Sequence, residues 1–185
     1  MIALEQLQKI IPYAGPRAGV YLGPINDAMD EFGINTPARI AGFLANVAHE
    51  SGSLRYTREI ADGRAYEGRA SLGNTEPGDG PRYKGRGLIQ ITGRANYCAA
   101  SIALFGDPDI LQAAPEMLEA PTTAASSAAW FWSTHGLNDL MDAGDFQGCC
   151  AVINTGHPST PPARINGYSE RLEYYERAME VLGNG

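Results

Sequence analysis

The stretch Ala45-Asn46-Val47-Ala48-His49-Glu50-Ser51-Gly52-Ser53-Leu54-Arg55-Tyr56-Thr57-Arg58-Glu59 joins an apolar run to a polar one. The apolar run begins near Ile40, behind Thr36-Pro37. A threonine followed by proline is an N-cap and first-turn pair, so the spacing predicts a helix from about Ala38 to Ser51. On that helix Phe43, Val47 and Glu50 fall at i, i+4 and i+7, which sets Glu50 at the edge of the buried stripe. A carboxyl there is partly desolvated, is raised in pKa and stays protonated, as a general acid requires. Glu59 follows a glycine and polar residues, where a carboxylate stays solvated and ionised.

One protonated and one ionised carboxyl is the pairing that hydrolysis of a glycosidic bond uses. A continuous helix would separate the two glutamates by about 13–14 Å. An extended chain would separate them by about 30 Å. Neither suits a catalytic pair, so a turn at Gly52-Ser53 is needed to bring Glu59 back across a cleft.

Outward from this stretch the chain reads as mainly helical. Leu4 to Ile11 and Tyr21 to Phe32 are amphipathic helices ended by Pro12 and Gly33. Residues 63–87 carry seven glycines with Pro77 and Pro81 and read as one long irregular loop. Tyr66, Tyr83, Arg82 and Arg86, interleaved along it, mark the loop as ordered and ligand-facing. Leu88 to Thr92 reads as a strand, with Gln90 and Thr92 on one face and Ile89 and Ile91 on the other. Helices follow from Thr92 to Phe105, Ile110 to Leu118, Pro121 to Gly136, Asp145 to Asn154 and Arg164 to Leu182. Gly167 weakens the last of these.

The 185 residues suffice for one domain, 1–185, with a core and two lobes around a cleft. The net charge of −7 disfavours nucleic acid. Residues 55–94 nonetheless hold eight of the fourteen basic residues, a local rim suited to an anionic polymer. Cys98, Cys149 and Cys150 have no metal spacing and read as buried thiols, with a bridge from Cys98 to one of the pair left open. No run reaches 18 apolar residues, so no membrane span is expected. Met1 to Pro12 lacks the apolar core of a signal peptide. A monomer without metal or cofactor, made in the cytoplasm, is the expectation.

The run Tyr83-Lys84-Gly85-Arg86-Gly87-Leu88-Ile89-Gln90-Ile91-Thr92-Gly93-Arg94-Ala95-Asn96-Tyr97 resembles the signature of family 19 glycoside hydrolases, the plant-type chitinases and related bacterial and phage lysins. His49-Glu50-Ser51, Ala129-Trp130-Phe131-Trp132 and Val152-Ile153-Asn154 resemble further landmarks, in family order, across most of residues 40–175. The resemblance implies a lysozyme-like, two-lobed helical fold with one small β element beside the cleft. It implies an inverting mechanism with Glu50 as acid, Glu59 as base and Thr92 holding the water. It also implies that Gln90, Asn96 and Asn154 bind sugar and that Arg171 supports the acidic cluster; Tyr83, on the ligand-facing loop, is a further candidate to bind substrate.

The chain departs from the plant pattern at Asn154-Thr155-Gly156-His157-Pro158, where a glutamate is missing. Glu67 is a candidate replacement as partner of Arg171. Plant substrate loops are also absent. With the basic rim and the missing leader, these features favour a phage-type endolysin that acts on peptidoglycan and leaves through a holin. Chitin is the alternative substrate, and a non-catalytic glycan-binding relative and a lytic transglycosylase are the alternative classes.

Overall fold

A computed structural model describes residues 1–183. Ten α-helices follow one another among the described residues: α1 Leu4–Ile10, α2 Arg17–Glu31, α3 Pro37–Glu50, α4 Asp79–Arg82, α5 Arg94–Phe105, α6 Ile110–Ala113, α7 Pro121–Thr134, α8 Leu137–Asp142, α9 Phe146–Thr155 and α10 Tyr168–Gly183. None of them is long and apolar enough to cross a membrane.

α3 lies at the centre. Thr36 Oγ1 accepts from Arg39 N at 3.3 Å and Pro37 opens the helix, as the sequence predicts. Every residue from Ile40 to Ala48 is buried, so this helix is apolar around most of its circumference and is covered by α10, α7, α8 and α9. Gly42 makes room for Met141 of α8, whose Sδ would stand 2.6 Å from a Cβ at that position. On α7, Ala124, Ala125, Ala128 and Ala129 keep the helix slim where α2 packs on it. Trp132 of α7 is fully buried, edge-on to Phe43 at 5.6 Å, and its indole donates to Asn138. Burying each of these rings contributes roughly 1.5–3 kcal/mol.

A second, smaller cluster gathers Tyr83, Ile91, Tyr97, Ala100, Leu111 and Leu118. Phe131 packs against both clusters, so α7 is the wall they share. The glycine-rich segment between α3 and α5 closes this second lobe. Its order comes from buried polar anchors rather than from regular structure. Asn74 donates to Tyr66 O and accepts from Arg94 N, and Asp79 accepts from both Arg94 and Glu76 N.

Several elements differ from the sequence reading. Residues 88–92 are not a strand. Gln90 has φ of 60°, which turns the backbone, and the β structure here is two isolated bridges, Arg58–Arg86 and Arg86–Ile91. The alternation survives in burial: Ile89 and Ile91 are inside, while Gln90 and Thr92 are half-exposed. α2 starts at Arg17, earlier than its apolar pattern, and runs through Pro24. α8 is an unexpected short helix. The last helix starts at Tyr168, so Gly167 precedes it instead of weakening it.

Candidate active site

Glu50 is the last residue of α3, and its carboxylate is one-fifth exposed. Its surroundings are not the apolar edge expected from the helical wheel. Oε1 accepts from Nη2 of Arg171, a side chain of α10 with no solvent exposure. The other guanidinium nitrogens are taken by Asn46 Oδ1 at 2.7 Å and Asn166 O at 3.2 Å. Asn154 Oδ1 in turn accepts from Asn166 N at 3.0 Å. A chain of bonds thus runs from Asn154 at the end of α9 to the carboxyl of Glu50. Beside it, His49 Nδ1 meets Glu170 Oε2 at 2.5 Å, and its ring lies on Gly167, where a Cβ would stand 1.9 Å from Cε1. Behind Asn46 and Arg171 stands the Cys150 thiol, which burial pushes up to about 12.

The chain then reverses. Gly52, Ser53 and Leu54 have φ of 55°, 61° and 63°. Left-handed backbone costs of order 1–3 kcal/mol at each non-glycine residue, so this turn is strained at Ser53 and Leu54. Past it, Gly87 N donates to Thr57 O and Glu59 N to Gly85 O, both at 2.9 Å, and these bonds dock the 57–59 segment on the second lobe. Glu59 Oε2 accepts from Gly85 N at 2.7 Å. A Cβ at Gly85 would stand 2.8 Å from that oxygen and 2.9 Å from Oε1 of Gln90, so only glycine lets the two groups flank one point. Burial, and then the neighbouring Glu59 carboxylate, hold the Tyr66 phenol above its usual pKa.

Gln90, Thr92 and Asn96 line a pocket of about 150 Å³ with Leu72, Phe131 and Ile153. Thr92 Oγ1 donates to Gln90 O at 2.8 Å, which leaves its lone pairs free to accept from a water. Asn96 is exposed, its Nδ2 bonded to Thr92 O. Ile153 precedes Asn154, so this pocket adjoins the end of the bond chain that fixes Glu50.

Two expected roles are corrected. Tyr83 is 2% exposed, edge-on to Tyr97 at 5.3 Å and under the Arg94 guanidinium. It is a core residue of the second lobe, with no face left for a ligand. Glu67 does not reach Arg171; its carboxylate accepts from Gly78 N and Gly80 N and ties down the loop. Residues given no site role from sequence carry part of the site, and Arg86, expected to face a ligand, is buried beneath the loop. Arg86 and Tyr97 brace residues 82–84 from beneath, through bonds to Arg82 O and Lys84 O. Asn46 orients Arg171. A lone polar residue inside a nine-residue buried run was the available signal for Asn46.

No family model matches the chain. An endochitinase of Arabidopsis thaliana is 36% identical to it over 138 residues, 70% of this chain and 45% of that protein. A glycosyl hydrolase family 19 domain-containing protein of Haemophilus influenzae is 29% identical over 215 aligned residues, covering 100% of this chain and 98% of the other. Among solved structures, a bacterial family 19 chitinase superposes with a TM-score of 0.76 at 25% identity, over 98% of this chain and 95% of that one. The chain belongs to glycoside hydrolase family 19.

It spans about half the length of the plant endochitinases it matches. As a family 19 chain it carries a mainly helical, lysozyme-like fold, with its β structure reduced to bridges. Its late arginine, Arg171, is paired with Glu50 itself and reaches no other carboxylate among the described residues. Arg171 is fully buried, so it has no direct contact with a ligand.

Proposed function

We propose that this chain is a glycosidase that cuts β-1,4 bonds between N-acetylglucosamine units with inversion, chitin chains being its first substrate. The observation that carries this reading is the contrast between the two carboxyls. Glu50 is fixed from the core side by a buried guanidinium, and its Oε2 carries no hydrogen bond among the described residues. In its protonated form Glu50 hands the proton from that oxygen to the leaving glycosidic oxygen, and the carboxylate this leaves is the form that Arg171 stabilises. Glu59 is fixed from the other lobe by a backbone amide, beside the pocket of Gln90 and Thr92. Its carboxylate takes a proton from water, and the Thr92 hydroxyl accepts a hydrogen bond that orients that water. Amide side chains beside Leu72, Phe131 and Ile153 suit an acetamido group, which has one polar and one methyl end.

The relatives called endochitinases and chitinases support chitin over peptidoglycan. Four of the eight basic residues of the rim expected from sequence to favour an anionic wall polymer are committed to the fold. Arg82 donates to Gln112 O, Lys84 to Ala61 O, Arg86 pairs with Glu119 and Arg94 with Asp79. Peptidoglycan remains a second reading because Arg55 and Arg69 are exposed and pair with no carboxylate among the described residues, while Arg58 and Arg64, also exposed, pair with Glu119 and Asp62.

The test is early-time NMR of products from chitohexaose, in parallel with turbidity loss of permeabilised cells. Inversion gives the α-anomer first, and Glu59→Gln abolishes turnover. A β-anomer, or 1,6-anhydro ends from cell walls, overturns the role of Glu59. Faster clearing of cells than of chitohexaose moves the substrate to peptidoglycan.

A further inference from the structure

The left-handed turn between the two glutamates stands out because two of its three residues are not glycine. Ser53 and Leu54 hold positive φ, and an L side chain persists there only when its surroundings over-determine it. They do. Ser53 N donates to Ala48 O at 2.7 Å, and Leu54 N to Ser51 Oγ at 2.8 Å. The Leu54 side chain is 1% exposed in the main core. Arg17 Nε reaches Ser53 O at 3.4 Å. Ser53 Oγ meets the Tyr174 hydroxyl at 2.8 Å, with both residues buried.

Tyr174 belongs to α10. The same helix supplies Glu170 to His49 and Arg171 to Glu50, and all three pairs span 121 residues. α10 therefore tracks α3 in one constant register, past its end and into the turn. Beyond the turn the chain leaves for the other lobe, where Glu59 is held by Gly85. The turn is the direct covalent link between a carboxyl fixed to one lobe and a carboxyl fixed to the other.

We propose that the Ser53–Tyr174 hydroxyl pair is a positioning element of the active site, holding the left-handed turn and with it the placement of Glu59 relative to Glu50. This rests on the acid and base roles proposed above. Water must fit between the carboxyls of an inverting pair, so a turn that relaxes moves the base off the water without removing it. Tyr174 and Ser53 touch no substrate; they act through the backbone.

The experiment compares Ser53→Gly, Tyr174→Phe and the double variant on chitohexaose, with Glu59→Gln beside them. Glycine adopts positive φ without penalty, so Ser53→Gly keeps a folded turn while losing its pin. Tyr174→Phe keeps the ring and loses only the hydroxyl. The expected result is a fall in kcat of about 10–100-fold in each single variant, the scale of a small misplacement, with KM within about threefold. The double variant falls no further than the worse single one. Ile25→Val, a core change in α2, serves as a control for lost stability and leaves kcat at the wild-type value. Wild-type kcat in both single variants, while Glu59→Gln is dead, overturns the positioning role alone. An active Glu59→Gln overturns the acid and base reading, and the inference with it.

Discussion

Arg171 has no contact with solvent, and Glu50 is the carboxylate that balances it. Removing one partner of a buried ion pair costs about 3–5 kcal/mol. Glutamine at position 50 keeps an acceptor for Nη2, and the site is one-fifth open to water, so Glu50→Gln should cost less, at most about 3 kcal/mol. Turnover should nonetheless fall by about 10²–10⁴-fold, because the amide cannot donate a proton to a leaving oxygen. Urea unfolding and chitohexaose kinetics on one preparation check both parts, and wild-type turnover would remove the assignment. The position of Glu50 at the end of its helix is legible from Thr36, Pro37 and the apolar spacing. Its link to Arg171 enters only through the family resemblance, because Arg171 lies 121 residues away and a helical wheel sees only neighbours. Tyr83 failed for a related reason. A tyrosine among glycines reads as exposed until Tyr97 and Arg94 are known to cover it.

Helices ended by proline or glycine signals were readable from the chain because such signals act locally. The 88–92 segment was not, since its pattern of burial is that of a strand while Gln90 takes a backbone conformation that no alternation reveals. The order of the preceding loop is also non-local. Gly73 and Gly93 face Ala95 and Leu72, and a Cβ on Gly93 would stand 2.7 Å from the Leu72 carbonyl. Gly93 also has φ of 94°, so alanine there meets both strain and a backbone collision. Gly93→Ala should lose about 1–3 kcal/mol or more. Because Leu72 walls the pocket beside Thr92, KM for chitohexaose should rise as well. Chemical denaturation and initial rates check this, and an unchanged midpoint would mean that the loop yields.

Taken together, the lobes differ in what holds them. The larger rests on an apolar core; the smaller adds the ion pairs Arg94–Asp79 and Arg86–Glu119 to its own smaller apolar cluster. The Arg94 guanidinium holds the Asp79 carboxyl below its usual value. A lowered folded-state pKa contributes stability that is present above the unfolded value of about 3.9 and is lost as pH falls through the folded one. Unfolding midpoints should therefore drop below about pH 4, and Asp79→Asn should be weaker at neutral pH with a flatter acid limb. Parallel limbs for the two proteins would place the acid sensitivity elsewhere. The net charge of −7 and the cluster of basic residues were countable in the chain, but which arginines keep free charge depended on partners such as Gln112 and Glu119. The thiols have a practical consequence. Cys149 and Cys150 are both sealed in α9, whereas Cys98 is partly open on α5, and none is bridged. An alkylating reagent should take up one label per native molecule and three after unfolding, so the stoichiometry of labelling turns these cysteines into a built-in gauge of foldedness that needs no added probe.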